Sequence, residues 1–94
     1  MATIKKTLIV KNKSGLHARP AALFVQIANK FDSRITVRRE DDNEEVNGKS
    51  IMGILMLGAE KGSSIIIEAE GDDAEGALAA LEKIISSEEE IWSS

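Results

Sequence analysis

Apolar and polar positions alternate with one period and then another along the chain, and each change of period marks a new element. Over residues 3–10, Ile4, Leu8 and Val10 fall on one side of a two-residue alternation, which predicts a strand. Lys11 to Gly15 breaks that pattern with turn chemistry. From Ala18 to about Asn29 the spacing becomes helical, with Ala21, Ala22, Val25 and Ala28 on one face and Leu23 and Phe24 widening it. Alternation returns over Arg34 to Arg39, where Ile35 and Val37 point inward; Asp41-Asp42-Asn43 then signals a turn into a partner strand over Glu44 to Asn47. Ser50 precedes a dense apolar run, Ile51 to Leu57, that predicts a two-turn helix with Ser50 as its N-cap and Gly58 closing it in the left-handed conformation. Residues 63–70 set Ile65, Ile67 and Ala69 against Ser64, Ile66 and Glu68, a half-buried strand. Asp72 and Glu75 read as an acidic capping box for a last helix whose stripe is Ala74, Ala77, Leu78, Leu81, Ile84 and Ile85. Gly76 inside that helix costs about 1 kcal/mol relative to alanine. Residues 86–94 read as a frayed acidic end carrying Trp92.

The order β-α-β-β-α-β-α predicts an α+β, two-layer domain. A helix between the first two strands requires a crossover, so those strands run parallel, and the last strand fits between them antiparallel to both. All three helices then cover one face of the sheet and leave the other to water. This pattern does not by itself separate the arrangement from a ferredoxin-like strand order. A chain of 94 residues supports one core and one domain.

Composition removes several classes of function. There is no cysteine, so disulfides, thiolate metal sites and cysteine nucleophiles are excluded. The acids lack metal-ligand spacing and the glycines form no phosphate loop, so no cofactor or metal is expected. No apolar stretch approaches a membrane span and no signal-like segment opens the sequence, which sets a cytoplasmic expectation. The net charge of −4 hides an asymmetry: residues 1–39 hold nine Lys or Arg and one acid, residues 40–94 three and fifteen. Without interleaved Tyr or Trp among the basic residues, nucleic acid is not an expected partner.

Candidate chemistry concentrates at Gly15-Leu16-His17-Ala18-Arg19-Pro20-Ala21, which contains the sole histidine. A helix start gathers unpaired amides, here those of Ala18 and Arg19, and the positive end of the macrodipole. Pro20 suits the first turn because its missing N–H loses nothing there. Imidazole is largely neutral at pH 7 and keeps one ring nitrogen free for attack on phosphorus. The resulting phosphoryl anion would be held by those amides and by the planar guanidinium of Arg19. A lone histidine is more often a surface or capping residue, and it is the surrounding run that favours an acceptor. Ser50 reads equally as an N-cap and as a modification point, where a phosphate would place negative charge beside Ile51, Met52 and Leu55.

Two separated motifs, Gly15 to Ala21 and Lys49-Ser50-Ile51-Met52-Gly53, resemble the active-site and regulatory signatures of the histidine-containing phosphocarrier family, HPr, of the bacterial phosphotransferase system. The resemblance spans nearly the whole chain. It implies an open-faced β-sandwich, a four-stranded antiparallel sheet of order 1-4-2-3 with three helices on one face. It further implies a monomeric carrier in which His17 accepts a phosphoryl group on Nδ1 from enzyme I, charged from phosphoenolpyruvate, and passes it to enzyme IIA domains. Arg19 would be the charge partner, Ser50 the target of an ATP-dependent serine kinase/phosphorylase, and Ile51 and Leu55 part of the docking surface. The hairpin over Arg38 to Glu45 departs from the family pattern, being two residues longer and lacking an Asn-Gly turn. Two other roles stay open: a regulatory binding protein controlled at Ser50, and a carrier in a nitrogen-related phosphotransferase chain.

Overall fold

Ile65, Ile67 and Ala69 lose all exposure to solvent because their strand lies inside the sheet, with a partner on each side and helices above it. The computed structural model describes residues 3–87. Its elements are β1 (Thr3–Ile9), α1 (Ala18–Ala28), β2 (Arg34–Arg39), β3 (Val46–Asn47), α2 (Ile51–Met56), β4 (Ser64–Glu70) and α3 (Ala74–Ile85). The sheet order is β1-β4-β2-β3, with every neighbouring pair antiparallel. β1 and β2 are therefore parallel to each other across β4, as a crossover through α1 requires.

Register fixes which side chains meet the helices. Leu8 opposes Ile65 and Ile4 opposes Ala69 from one side of β4, while Ile35 opposes Ala69 and Val37 opposes Ile67 from the other. These residues join Phe24 of α1, Ile54 of α2 and the whole predicted stripe of α3 in one core. Lys5, Thr7, Ile66, Glu68 and Thr36 share the opposite, open face. The alternation is thus the fold's main instruction, since a one-residue slip in any strand would exchange the two faces.

Several local expectations change. The buried face of α1 is centred on Pro20, Ala21, Phe24 and Ala28, and Ala22 is exposed. The second hairpin strand shrinks to Val46 and Asn47, pairing with Val37 and Thr36, because the connection takes up Glu44 and Glu45. Asp72 and Glu75 do not form a capping box. The N-cap of α3 is Asp73, whose side chain makes no cap bond. Its carboxylate instead accepts from the amides of Asp32 (2.8 Å) and Ser33 (2.9 Å) and from the Ser33 hydroxyl. That contact ties the turn after α1 to the start of α3, and Gly71 admits it: a Cβ there would sit 2.7 Å from Ser33 Oγ. Ser86 and Ser87, the first residues of the acidic end, are hydrogen-bonded. Ser86 donates its amide and its hydroxyl to Glu82 O, and Ser87 O accepts from Asn12. The rest of the acidic end, with Trp92, lies outside the described residues.

Hydrogen bonding, first from the Ser33 hydroxyl and then from the Asp32 amide, holds the Asp73 carboxyl below the usual aspartate range against the opposing effect of burial. A lowered folded-state pKa stabilises the fold above the unfolded value and loses that contribution as pH falls through the folded value. Urea unfolding of Asp73→Asn should therefore show lower stability than the parent from pH 7 to 5, with the gap narrowing below about pH 4. A gap that stayed constant down to pH 2 would assign it to packing alone.

Candidate functional site

The run from Val10 to His17 is clamped at both ends before it delivers the histidine. Val10 N donates to Ser63 O (2.9 Å), Lys11 N to Ile85 O (2.9 Å), and Gly62 N to Val10 O (2.8 Å). Asn12 is buried, and its Nδ2 donates to Ile84 O (2.8 Å) and Ser87 O (3.1 Å), satisfying carbonyls at the C-terminal end of α3. Gly15 then turns the chain with φ +76° and packs against the backbone of Ala59 and Glu60. Leu16 is buried and its amide donates to Ala59 O (2.9 Å). The next residue, His17, is exposed.

His17 is the N-cap of α1, with extended backbone (φ −92°, ψ −163°) and no capping hydrogen bond from its side chain. The first helical bond runs from Ala21 N to His17 O (2.9 Å). Pro20 has no N–H, so the orphan donors of the first turn are the amides of Ala18 and Arg19. No acid sits in that turn. Arg19 is exposed and makes no ion pair among the described residues. The other helix starts differ: Ser50 Oγ accepts from Gly53 N (3.1 Å) at α2, and Glu75 lies in the first turn of α3. Among the described residues, only the start of α1 sets free amides beside both an unpaired guanidinium and an imidazole. A dianion bonded to the ring would find charge-assisted hydrogen bonds there without displacing anything.

Ser50 stands elsewhere. Asn29, the C-cap of α1, donates to Lys49 O (3.3 Å), and Lys49 Nζ donates to Phe31 O (2.7 Å). The start of α2 is therefore clasped to the end of α1, while residues just past α2 meet Gly15 and Leu16. The two helices run antiparallel, and the 11 residues of α1 separate His17 from the Ser50 end by about 16 Å. Between them, Ile51, Met52, Leu55 and Met56 are exposed, Met52 at 64% and Met56 at 73%, while Ile54 is fully buried. Ile51 and Leu55 thus lie in an exposed apolar patch. Met56 and the structural roles of Asn12 and Ala59 were not legible in the pattern.

The family described as "PTS HPr component phosphorylation site" matches residues 4–87, a span that takes in both His17 and Ser50. The chain belongs to the HPr family. HPr is the phosphocarrier of the phosphotransferase system, a carrier and not a catalyst in the usual sense. Similar proteins include the phosphocarrier protein HPr of Haloferax volcanii, 44% identical over 92% of this chain and 97% of that protein. The HPr-like protein Crh of Halalkalibacterium halodurans is 48% identical over 90% of this chain and 99% of that protein. The crystal structure of HPr from Bacillus anthracis superposes with a TM-score of 0.84 at 49% identity, covering 90% of this chain and 99% of that one. Both the fold and the strand order are those of HPr. No helix among the described residues is long and apolar enough to cross a membrane.

Proposed function

We propose that this HPr chain carries a phosphoryl group on His17 Nδ1 in the cytoplasm, taking it from enzyme I and delivering it to an enzyme IIA domain. The observation that supports this reading is the exposed, uncapped start of α1, where His17 shares a turn with two free amides and the unpaired Arg19. In uptake, the bond from phosphorus to the donor breaks as the bond to the His17 nitrogen forms; in delivery the sequence reverses. The amides of Ala18 and Arg19 and the Arg19 guanidinium stabilise the equatorial charge in both directions. The test is incubation of the chain with enzyme I, magnesium and labelled phosphoenolpyruvate. Acid-labile, alkali-stable label on the chain is expected, and an unlabelled chain overturns the reading.

Ser50 fits a regulatory role by a serine kinase/phosphorylase because a charge there changes the docking patch and leaves the chemistry at His17 untouched, some three turns of α1 away. An aspartate also caps helices, so Ser50→Asp should fold normally. Its phosphorylation by enzyme I is expected to slow about tenfold, ~1.4 kcal/mol in kcat/KM, through repulsion and desolvation beside Ile51, Met52 and Leu55. An unchanged initial rate, with circular dichroism also unchanged, would dissociate the two sites.

The likeness to an HPr-like protein Crh favours one second reading, a regulatory binding protein controlled at Ser50. The label test separates the two, since that reading requires no phosphohistidine. A nitrogen-related relay would differ only in which enzyme I and receiving domain give transfer.

A further inference from the structure

The lengthened hairpin is absorbed neither by the carrier chemistry nor by regulation at Ser50, yet it is a built feature. Residues 40–45 contain five acids, Glu40, Asp41, Asp42, Glu44 and Glu45, all exposed. Two arginines hold the loop from below. Arg38 donates to the carbonyls of Arg39 (3.3 Å), Glu40 (3.5 Å) and Asp42 (3.0 Å), and Arg39 pairs with Asp41 (3.3 Å) and Asp42 (3.9 Å). Asp42 N donates to Arg39 O (3.1 Å), and Asp42 Oδ1 accepts from Glu44 N (3.1 Å). Glu40, Glu44 and Glu45 make no ion pair among the described residues.

The loop is also placed beside the docking patch. Asp42 and Glu44 line a surface groove of about 260 Å³ together with Arg39, Val46 and, at the end of α2, Met56, Leu57 and Gly58; Arg39 pairs with Asp42 there and leaves Glu44 as the uncompensated charge. α2 thus lies between α1, which brings Arg19 at its start, and an acidic loop on the β3 side. The exposed methionines offer adaptable apolar contact, whereas the uncompensated charges on either side, Arg19 and Glu44, have opposite sign. An apolar patch edged in this way discriminates partners mainly through charge: like charge opposite the rim is repelled, and opposite charge raises the association rate.

We propose that the acidic hairpin is the far rim of the α2 docking face, and that it selects a relay protein presenting Lys or Arg beside an apolar ridge, opposite Glu44. This rests on the carrier reading, since the partner is one that approaches His17 across α2. Surface charges act over about one Debye length, ~8 Å at physiological salt, so the effect is confined to groups that meet across the groove.

The probes are enzyme I and the enzyme IIA domain of the source organism, titrated separately into the full chain at low and high salt. Glu44→Lys is the test variant because the Glu44 side chain holds no bond that builds the loop, and Glu44→Gln is its milder companion. Kd for at least one probe should rise about tenfold for Glu44→Lys at low salt, less for Glu44→Gln, and the difference should fade at high salt. Unchanged Kd for both probes overturns the rim and leaves the carrier reading intact. Failure of both probes to bind the parent chain overturns both. Salt-sensitive self-association of the parent in sedimentation, abolished by Glu44→Lys, also overturns the proposal by naming a second copy as the occupant.

Discussion

Replacement of His17 by alanine is expected to abolish acid-labile, alkali-stable labelling while leaving stability within about 0.5 kcal/mol of the parent. The two halves of that expectation have one cause. His17 occupies an N-cap position but makes no capping bond, so its side chain contributes nothing to the start of α1 that alanine would remove. Aspartate at the same position sharpens the contrast. Its carboxylate accepts from the free amides of the first turn and opposes the positive helix end, which should stabilise the fold by about 1 kcal/mol. That variant should be the more stable and equally unable to form an alkali-stable N–P bond. A helix start left uncapped at this cost is intelligible if the amides of Ala18 and Arg19 are reserved for an anion that comes and goes. Urea unfolding and label incorporation on the parent, His17→Ala and His17→Asp measure both quantities. Residual acid-labile, alkali-stable label on either variant would move the acceptor elsewhere, and a large loss of stability in His17→Ala would give the ring a structural role.

The candidate site was legible because it is assembled from consecutive residues. Turn chemistry at Gly15, the proline at the third helical position and the change of period at Ala18 are all local, and together they place His17 at a helix start without any knowledge of distant contacts. The strands were legible for a related reason: each buries one face, so alternation reports directly on the core, and strand order followed from handedness and the resemblance. What escaped were features settled by residues far apart in sequence. The pattern pointed to Asp72 and Glu75 as a local cap and passed over Asp73, whose carboxylate reaches the amides of Asp32 and Ser33, some forty positions earlier. Asn12 looked like a turn residue, whereas its buried amide serves carbonyls of Ile84 and Ser87. In α2 the run is apolar on every side, so periodicity cannot say that Ile54 faces inward while Met52 and Met56 face out. Only the neighbours decide that.

Gly15→Ala is expected to destabilise the domain by about 3 kcal/mol, several times the effect of glycine replacement at a permissive position. Two costs combine. At φ +76° a side chain strains the left-handed backbone, for about 1–2 kcal/mol. The added Cβ would also sit 2.6 Å from Ala59 O and 2.9 Å from Glu60 Cα, and these are backbone atoms that cannot swing aside. Gly58 supplies the internal comparison: it too has positive φ, +59°, but a Cβ there meets nothing within 4 Å. Gly58→Ala should therefore cost only about 1 kcal/mol. The clash at Gly15 falls on the contact that seats the His17 loop, next to the Leu16 N to Ala59 O bond. Relief of it must push residues 15–17 away from the end of α2. Phosphoryl uptake by the folded fraction of Gly15→Ala should then drop below that of Gly58→Ala, since positional error of an ångström at the acceptor costs about a hundredfold in rate. Equal stabilities for the two alanine variants would show that the Ala59–Glu60 backbone gives way easily. In that case the placement of His17 would depend on the helix start alone, and the clamp between the two loops would be dispensable.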